Sequence, residues 1–247
     1  MRIFVAGATG ALGIPVLRQL TARGHDVVGM TRSNSKRALI EQFGARAVVA
    51  DALDSKALTQ AVREAAPTHV LHLLTALPKN GPLRAADIAA TNQLRIAGTA
   101  NLLQAAIAAG ATRLVGESFV AVYGYGDLGA QPRTEDALAP VTDLDPGLRA
   151  VVDALRSLEQ LLLRANDQQQ IETVVLRYGM FYGAESVSTR YIVGELRKRR
   201  VPLVRGARGL ASLIHIEDAA AATIAALERG RPGAIYIGLT QLAVPAV

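Results

Sequence analysis

The sequence has no cysteine, which excludes a disulfide framework and a thiolate zinc site. Histidine is sparse: His25 and His215 stand alone, and His69 and His72 lack the i,i+4 spacing of a helical metal pair. They read as core or sheet-surface side chains, and no metal site is expected. No apolar run reaches the roughly 20 residues that a membrane-spanning helix needs, so no membrane partner is expected. The N-terminus lacks a signal-peptide pattern, because residues 1–13 carry a structural role of their own; the expected compartment is the cytoplasm. Negative charge is in deficit. The net charge is +6, and arginine far outnumbers lysine, which mildly favours phosphate-bearing ligands. The excess is too diffuse to argue for nucleic acid, and the basic stretch 197–208 has no interleaved aromatics for base stacking. No nucleic-acid partner is expected.

What is present is apolar residues, half of the 247, enough for one α/β domain with a small appendage. The most informative stretch is Met1-Arg-Ile-Phe-Val-Ala-Gly-Ala-Thr-Gly-Ala-Leu-Gly13. A short apolar run, 3–6, reads as a buried strand. Gly7, Gly10 and Gly13 follow at spacing three, and 14–23 reads as a helix. Strand, glycine turn and helix form the arrangement that binds a dinucleotide pyrophosphate. Gly7 allows the tight turn, Gly10 the approach of the phosphates, and Gly13 the close packing of helix on strand. The helix N-terminus offers free N–H groups and the positive end of its dipole. The expected turn contacts are Gly7, Thr9, Gly10, Ala11, Leu12 and Gly13.

The remaining chain alternates strand and helix. Strands are expected at 27–30, 45–50, 70–74, 114–118, 173–177 and 234–237, and helices at 36–43, 55–66, 84–109, 148–164, 191–200 and from Asp218 as cap to 227. Asp54 or Ser55 is the expected cap of the helix at 55–66. This alternation argues for a doubly wound parallel sheet, Rossmann-like, with a small C-terminal substrate-side subdomain. The division is a dinucleotide-binding core at 1–177 and a substrate-side segment at 178–247 interleaved with it. Stretches 77–82 and 124–147 read as loops. The alanine- and leucine-rich stretch 84–109 is more apolar than one buried face requires, so part of it is expected to pack on another subunit, as in a homodimer.

The end of the second strand bears on cofactor choice. A carboxylate about 20 residues past the glycines holds a ribose lacking a 2′-phosphate. Here Thr31, Arg32 and Ser33 occupy that place. Arg32 can pair with a 2′-phosphate, which favours NADP(H) over NAD(H); the alternative is a solvated basic loop. Asp51, followed by Ala52, ends the third strand on the side where ligands bind and is expected to face the adenine.

These features together resemble the short-chain dehydrogenase/reductase superfamily in its extended and atypical branches, which include nucleoside-diphosphate-sugar epimerases and dehydratases. The resemblance spans the chain: the glycine turn, Asp51 to Asp54, Val70-Leu-His-Leu, Asn92 with Gly98-Thr99, Val122-Tyr-Gly124, Leu176-Arg-Tyr-Gly and Ile214-His-Ile-Glu-Asp218. It implies that Leu73, Leu74 and Thr75 lie beside the cofactor and that Tyr178 and Gly179 lie near the nicotinamide.

The chemistry of that superfamily uses a tyrosine, a lysine four residues later that lowers its pKa, and a serine or threonine that binds the substrate oxygen. Aligned on Glu159, the tyrosine and lysine positions are Val151 and Leu155; aligned on Tyr123-Gly124, the serine position is Phe119. All three are apolar. Replacement acid/base candidates are Ser118, Tyr123, Tyr178 and Tyr182, each with structural packing as the alternative. Relatives usually continue past the last strand, so the substrate side is expected to be less enclosed here. Two functions follow: an NADP-dependent, epimerase- or dehydratase-like oxidoreductase on a small polar or sugar-nucleotide-like substrate, or a non-catalytic NADP(H)-binding redox sensor or assembly factor.

Overall fold

The computed structural model describes residues 1–78, 81, 84–124, 133–136, 138, 144–184, 186–200, 210–239 and 244–245. Seven parallel strands form the central sheet, in the order β10-β6-β5-β4-β1-β2-β3. They are β1 (Arg2–Ala6), β2 (Asp26–Thr31), β3 (Arg46–Val49), β4 (His69–His72), β5 (Arg113–Phe119), β6 (Glu172–Tyr178) and β10 (Ile235–Gly238). The order reverses at β1, with β2 and β3 on one side and β4, β5 and β6 on the other. That reversal is the crevice where doubly wound sheets bind ligands. The expected fold class holds.

Helices cover both faces. Helices α1 (Gly13–Ala22) and α8 (Ile216–Arg229) pack together on one face; α3 (Ser55–Ala65), α5 (Thr99–Ala108) and α6 (Pro146–Asp167) lie on the other. The remaining helices are α2 (Arg37–Glu41), α4 (Ala89–Gln93) and α7 (Val187–Arg197). Strand alternation divides the core. Val70 and Leu114 point into the α3–α5–α6 cluster, whereas Leu71 and Val115 point into the α1–α8 cluster. Val151, Val152, Leu155, Leu158 and Leu162 form the buried stripe of α6, each contributing about 1.5–3 kcal/mol by burial.

Some local expectations shift. The stretch 84–109 is an interrupted helix: a 3₁₀ turn at Ala85–Ile88, then α4, a π-helical turn at Leu94–Gly98, then α5. At the π turn the Thr99 hydroxyl bonds the Arg95 carbonyl at 2.6 Å, a side-chain bond that competes with the helical ladder. The last long helix starts earlier than Asp218. Its cap is His215, whose Nδ1 accepts from the Glu217 N–H at 3.4 Å. Glu217 and Asp218 instead lie in the first turn, where carboxylates complement the helix dipole. Asp54 caps α3 through the N–H groups of Lys56 and Ala57. Short strands complete the C-terminal part: β7 (Met180–Tyr182) pairs with β9 (Leu213–His215), and β8 (Leu210–Ala211) with β11 (Val244–Pro245). Most of the loop expected at 124–147, and the basic residues Arg205 and Arg208, lie outside the described residues.

Candidate dinucleotide site

The glycine turn joins β1 to α1 against the end of β4. Gly7 has φ +95°, a conformation open to glycine, and a Cβ there would overlap the Leu73 carbonyl. A Cβ on Gly13 would overlap the Gly7 carbonyl oxygen. The turn is closed by the Gly10 N–H donating to Gly7 O at 2.9 Å and the Ile14 N–H to Gly10 O at 3.2 Å. Leu12, the N-cap of α1, makes no side-chain cap bond. The backbone N–H groups of Ala11, Leu12 and Gly13 have no partner among the described residues. Three free donors at a helix N-terminus, beside two glycines that no side chain can replace, form a cradle for a diphosphate. The residues present therefore fit a dinucleotide.

The other expected contacts lie along the same edge of the sheet. Thr31 is buried and its hydroxyl accepts from the Ser33 N–H at 3.2 Å, while Arg32 beside it is exposed. The Asp51 carboxylate accepts from the Leu53 N–H at 2.9 Å, and Ala52 is buried, its carbonyl held by Asn101 at 2.9 Å. Leu73 and Leu74 are buried, and Thr75 is exposed. Thr9 and Gly10 are half-buried on the turn.

Ser118, Tyr123 and Tyr178 are engaged in packing. Ser118 is buried and donates to Glu159 at 2.6 Å. Arg177 closes on the same carboxylate through two bonds, Nε at 2.9 Å and Nη2 at 2.8 Å. Its Nη1 donates to the Tyr123 hydroxyl at 2.7 Å and to the Glu135 carbonyl at 2.6 Å. Tyr123 in turn donates to the Thr134 carbonyl at 3.0 Å. Tyr178 is 1% exposed, and its hydroxyl donates to the Ala219 carbonyl at 2.9 Å, with the Thr223 hydroxyl also at 2.9 Å. Burial pushes both phenols up from the ordinary tyrosine value, against the pull of Arg177 on Tyr123 and of the Thr223 bond on Tyr178. Neither has the lowered pKa that a tyrosine needs for acid/base work near neutral pH. Tyr182 lies edge-on to His215, ring centroids 5.2 Å apart.

The positions aligned with the usual tyrosine, lysine and serine come together as an apolar wall. Val151 and Leu155 are buried with Ala121, Val122 and Tyr123, and Phe119 packs against them. Among the described residues no lysine joins this wall: Lys36, Lys56 and Lys198 are exposed to solvent, and Lys79 lies outside the described residues.

Sequence reasoning passed over Glu117. It is the lone acid in the apolar strand β5, and its neighbours Gly116 and Ser118 are buried while it is not fully so. Burial pushes its carboxyl up to about 7, against the pull of Arg95. His72, read from the sequence as a core or sheet-surface side chain, is buried in the core, with Nε2 2.8 Å from the Thr99 hydroxyl. Burial lowers it to about 4, so it is neutral near pH 7. The signal for Glu117 is a single acid in a strand that is mostly apolar.

The chain is 38% identical over 246 residues to the 3-diazoavenalumate denitrifying reductase of a Streptomyces species, covering 96% of this chain and 75% of that protein. It is 29% identical over 244 residues to a 4-hydroxy-2-methyl-3-oxo-4-farnesyl-3,4-dihydroquinoline-1-oxide ketoreductase of Stigmatella aurantiaca, covering 96% and 67%. Its fold superposes on the UDP-glucose 4-epimerase of Thermus thermophilus, solved with NAD, at a TM-score of 0.80, covering 99% of this chain and 79% of that one; at 23% identity this is a likeness of fold. Residues 3–238 match the sequence model of one family, and with that span the chain belongs to the NAD dependent epimerase/dehydratase family of NAD(P)-binding oxidoreductases.

Proposed function

We propose that this chain is an NADP(H)-dependent reductase whose hydride acceptor needs no tyrosine–lysine proton donor, and that the acceptor is an aryl diazonium or similarly electron-poor diazo compound. The observation behind this reading is the pairing of a complete glycine cradle with the apolar wall of Phe119, Val151 and Leu155. When bound, the dinucleotide supplies hydride. Reduction of a ketone leaves an alkoxide that must be protonated, which is the role of the tyrosine. An aryl diazonium has no such need: the ring carbon gains hydride, the carbon–nitrogen bond breaks, and dinitrogen leaves. The diazo chemistry named for the Streptomyces relative supports the assignment.

The protein's part is to bind, orient and exclude water. The N–H groups of Ala11, Leu12 and Gly13 hold the diphosphate, Thr31, Arg32 and Ser33 take the ribose 2′-phosphate, and Asp51 with Ala52 flanks the adenine. Leu73, Leu74, Thr75 and the backbone at Tyr178 border the nicotinamide end. The apolar wall keeps water from a reactive cation. The test supplies NADPH with an aryl diazonium carboxylate and, separately, with an aryl ketone, following dinitrogen release and loss of NADPH absorbance. Turnover of the diazonium alone is expected. Turnover of the ketone at a comparable rate, or of neither, overturns the reading. A second reading, a non-catalytic NADP(H)-binding sensor or assembly factor, draws on the same apolar positions and is favoured by binding without turnover of either compound.

A further inference from the structure

Glu117 is placed by the register of β5. Ser118 faces α6, where it meets Glu159, so Glu117, one residue earlier, faces the opposite side of the sheet. Val115 marks that side, in the core cluster that also holds Leu12, Leu73 and Tyr178. His72 of β4 pairs with Gly116, so Leu73 lies level with Glu117. The Leu73 carbonyl is also the group against which Gly7 is closed. On the other flank Glu117 pairs with Leu176, and Phe119 with Tyr178. Glu117 therefore stands at the carboxyl end of a central strand, between the glycine turn and Tyr178. The residue is half-buried, and the carboxyl ends of the strands at the point of order reversal are where such sheets form their crevice.

Charge around it is sparse. The glycine turn, Gly7 to Gly13, has no ionisable residue. On β4, His72 is neutral and bonded to Thr99. On β6, Arg177 is paired with Glu159 of α6, and Tyr178 is neutral. On α8, Glu217 is held by Arg18 at 2.6 Å, and Asp218 is exposed to solvent in the first turn. Arg95, within the π turn, pulls the carboxyl toward ionisation, and burial opposes it more strongly. A carboxyl so placed gains from a cation brought into the crevice, because ionised it would otherwise lack a strong counter-charge.

We propose that the Glu117 carboxylate borders the nicotinamide end of the crevice and holds the positive ring of the oxidised dinucleotide, so that the site tells oxidised from reduced cofactor by charge. This rests on the dinucleotide reading above. The nicotinamide ring is cationic only when oxidised. Binding of the oxidised form then requires Glu117 to shed its proton to solvent, whereas the reduced form tolerates the neutral acid. Binding of the oxidised form is therefore favoured by rising pH through the range in which Glu117 titrates.

The experiment is calorimetric titration of the full chain with NADP⁺ and with NADPH from pH 5.5 to 8.5. The 2′-phosphate also titrates, with a pKa of about 6, but it is common to both forms and cancels in the ratio of their affinities. The ratio should rise in favour of NADP⁺ by about tenfold or more across this range, then level off, and Glu117→Gln should make it flat. Titration at pH 6 in buffers of different ionisation enthalpy should show NADP⁺ releasing more protons than NADPH, a measurement that needs no variant. A pH-independent ratio in the parent, equal proton release by the two forms, or an unchanged pH profile in Glu117→Gln overturns the inference while leaving the dinucleotide reading intact. If neither form binds at any pH, the dinucleotide reading falls and the inference with it.

Discussion

Replacing Arg177 by methionine tests whether the network beneath β5 is structural. The Arg177 side chain is 0% exposed and that of Glu159 3%, with Nη2 2.8 Å from the carboxylate. Neither charge can reach water while the sheet and α6 stay packed. Without the guanidinium, Glu159 keeps one bond, from Ser118 at 2.6 Å, and the Tyr123 hydroxyl loses a donor. Leaving one member of a buried pair uncompensated costs about 3–5 kcal/mol. For a chain of this size each kcal/mol moves Tm by about 2–4 °C, so a fall of about 6–20 °C is expected. The double variant Glu159→Met/Arg177→Met should lose less than the two single losses added together, with a coupling on the order of 3 kcal/mol, because it buries no lone charge. Urea unfolding followed by circular dichroism gives all four corners of the cycle. If Arg177→Met lies within about 1 kcal/mol of the parent, or if the double variant equals the sum of the singles, the pair is not held in a dry environment and the reasoning is wrong.

Arg32→Asp should remove most of the preference for NADPH over NADH, read by paired binding titrations; equal affinities in the parent would remove the basis for the variant. Gly7→Ala should abolish binding of either dinucleotide and destabilise the fold by about 1–3 kcal/mol, because the methyl group strikes the Leu73 carbonyl; retained nucleotide affinity would contradict the proposed cradle. Stability should also respond to pH at two groups whose charged forms burial disfavours. The raised Glu117 leaves the folded state holding a proton the unfolded chain has lost, so its contribution is present below about 4.5 and fades as pH rises to about 7. The lowered His72 does the reverse, its contribution being present above about 6.5 and lost as pH falls to about 4. Glu117→Gln should therefore gain stability relative to the parent as pH rises from 5 to 8 in urea denaturation, and a constant difference would refute the shift. Helices α5 and α6 are expected to form a homodimer contact, measurable by sedimentation equilibrium; the exposed Arg149, Asp153, Gln160 and Arg164 on α6 count against it, and a strictly monomeric species would exclude it.

The glycine spacing and the alternation of strand and helix were legible in the sequence because both express local rules. A turn at φ +95° packed against a carbonyl admits only glycine, and a parallel sheet covered on both faces requires apolar strands between amphipathic helices. The apolar residues at 119, 151 and 155 were legible too, since loss of a side chain's chemistry shows in its identity alone. Tertiary structure decided the rest, where the deciding partner is distant along the chain. Ser118 was an acid/base candidate until Glu159, 41 residues away, accepted its hydrogen bond. Tyr178 was a catalytic phenol until the Ala219 carbonyl, also 41 residues away, took its hydroxyl. Asp218 had the composition of a cap, but the pairing of β9 with β7 carries the strand through His215 and sets the helix start after it. Glu117 looked like one more charged residue until strand register turned it away from α6 and toward the glycine turn. A strand's side-chain parity is fixed by sequence to within one choice of face, and only the packing of helices on both sides of the sheet makes that choice.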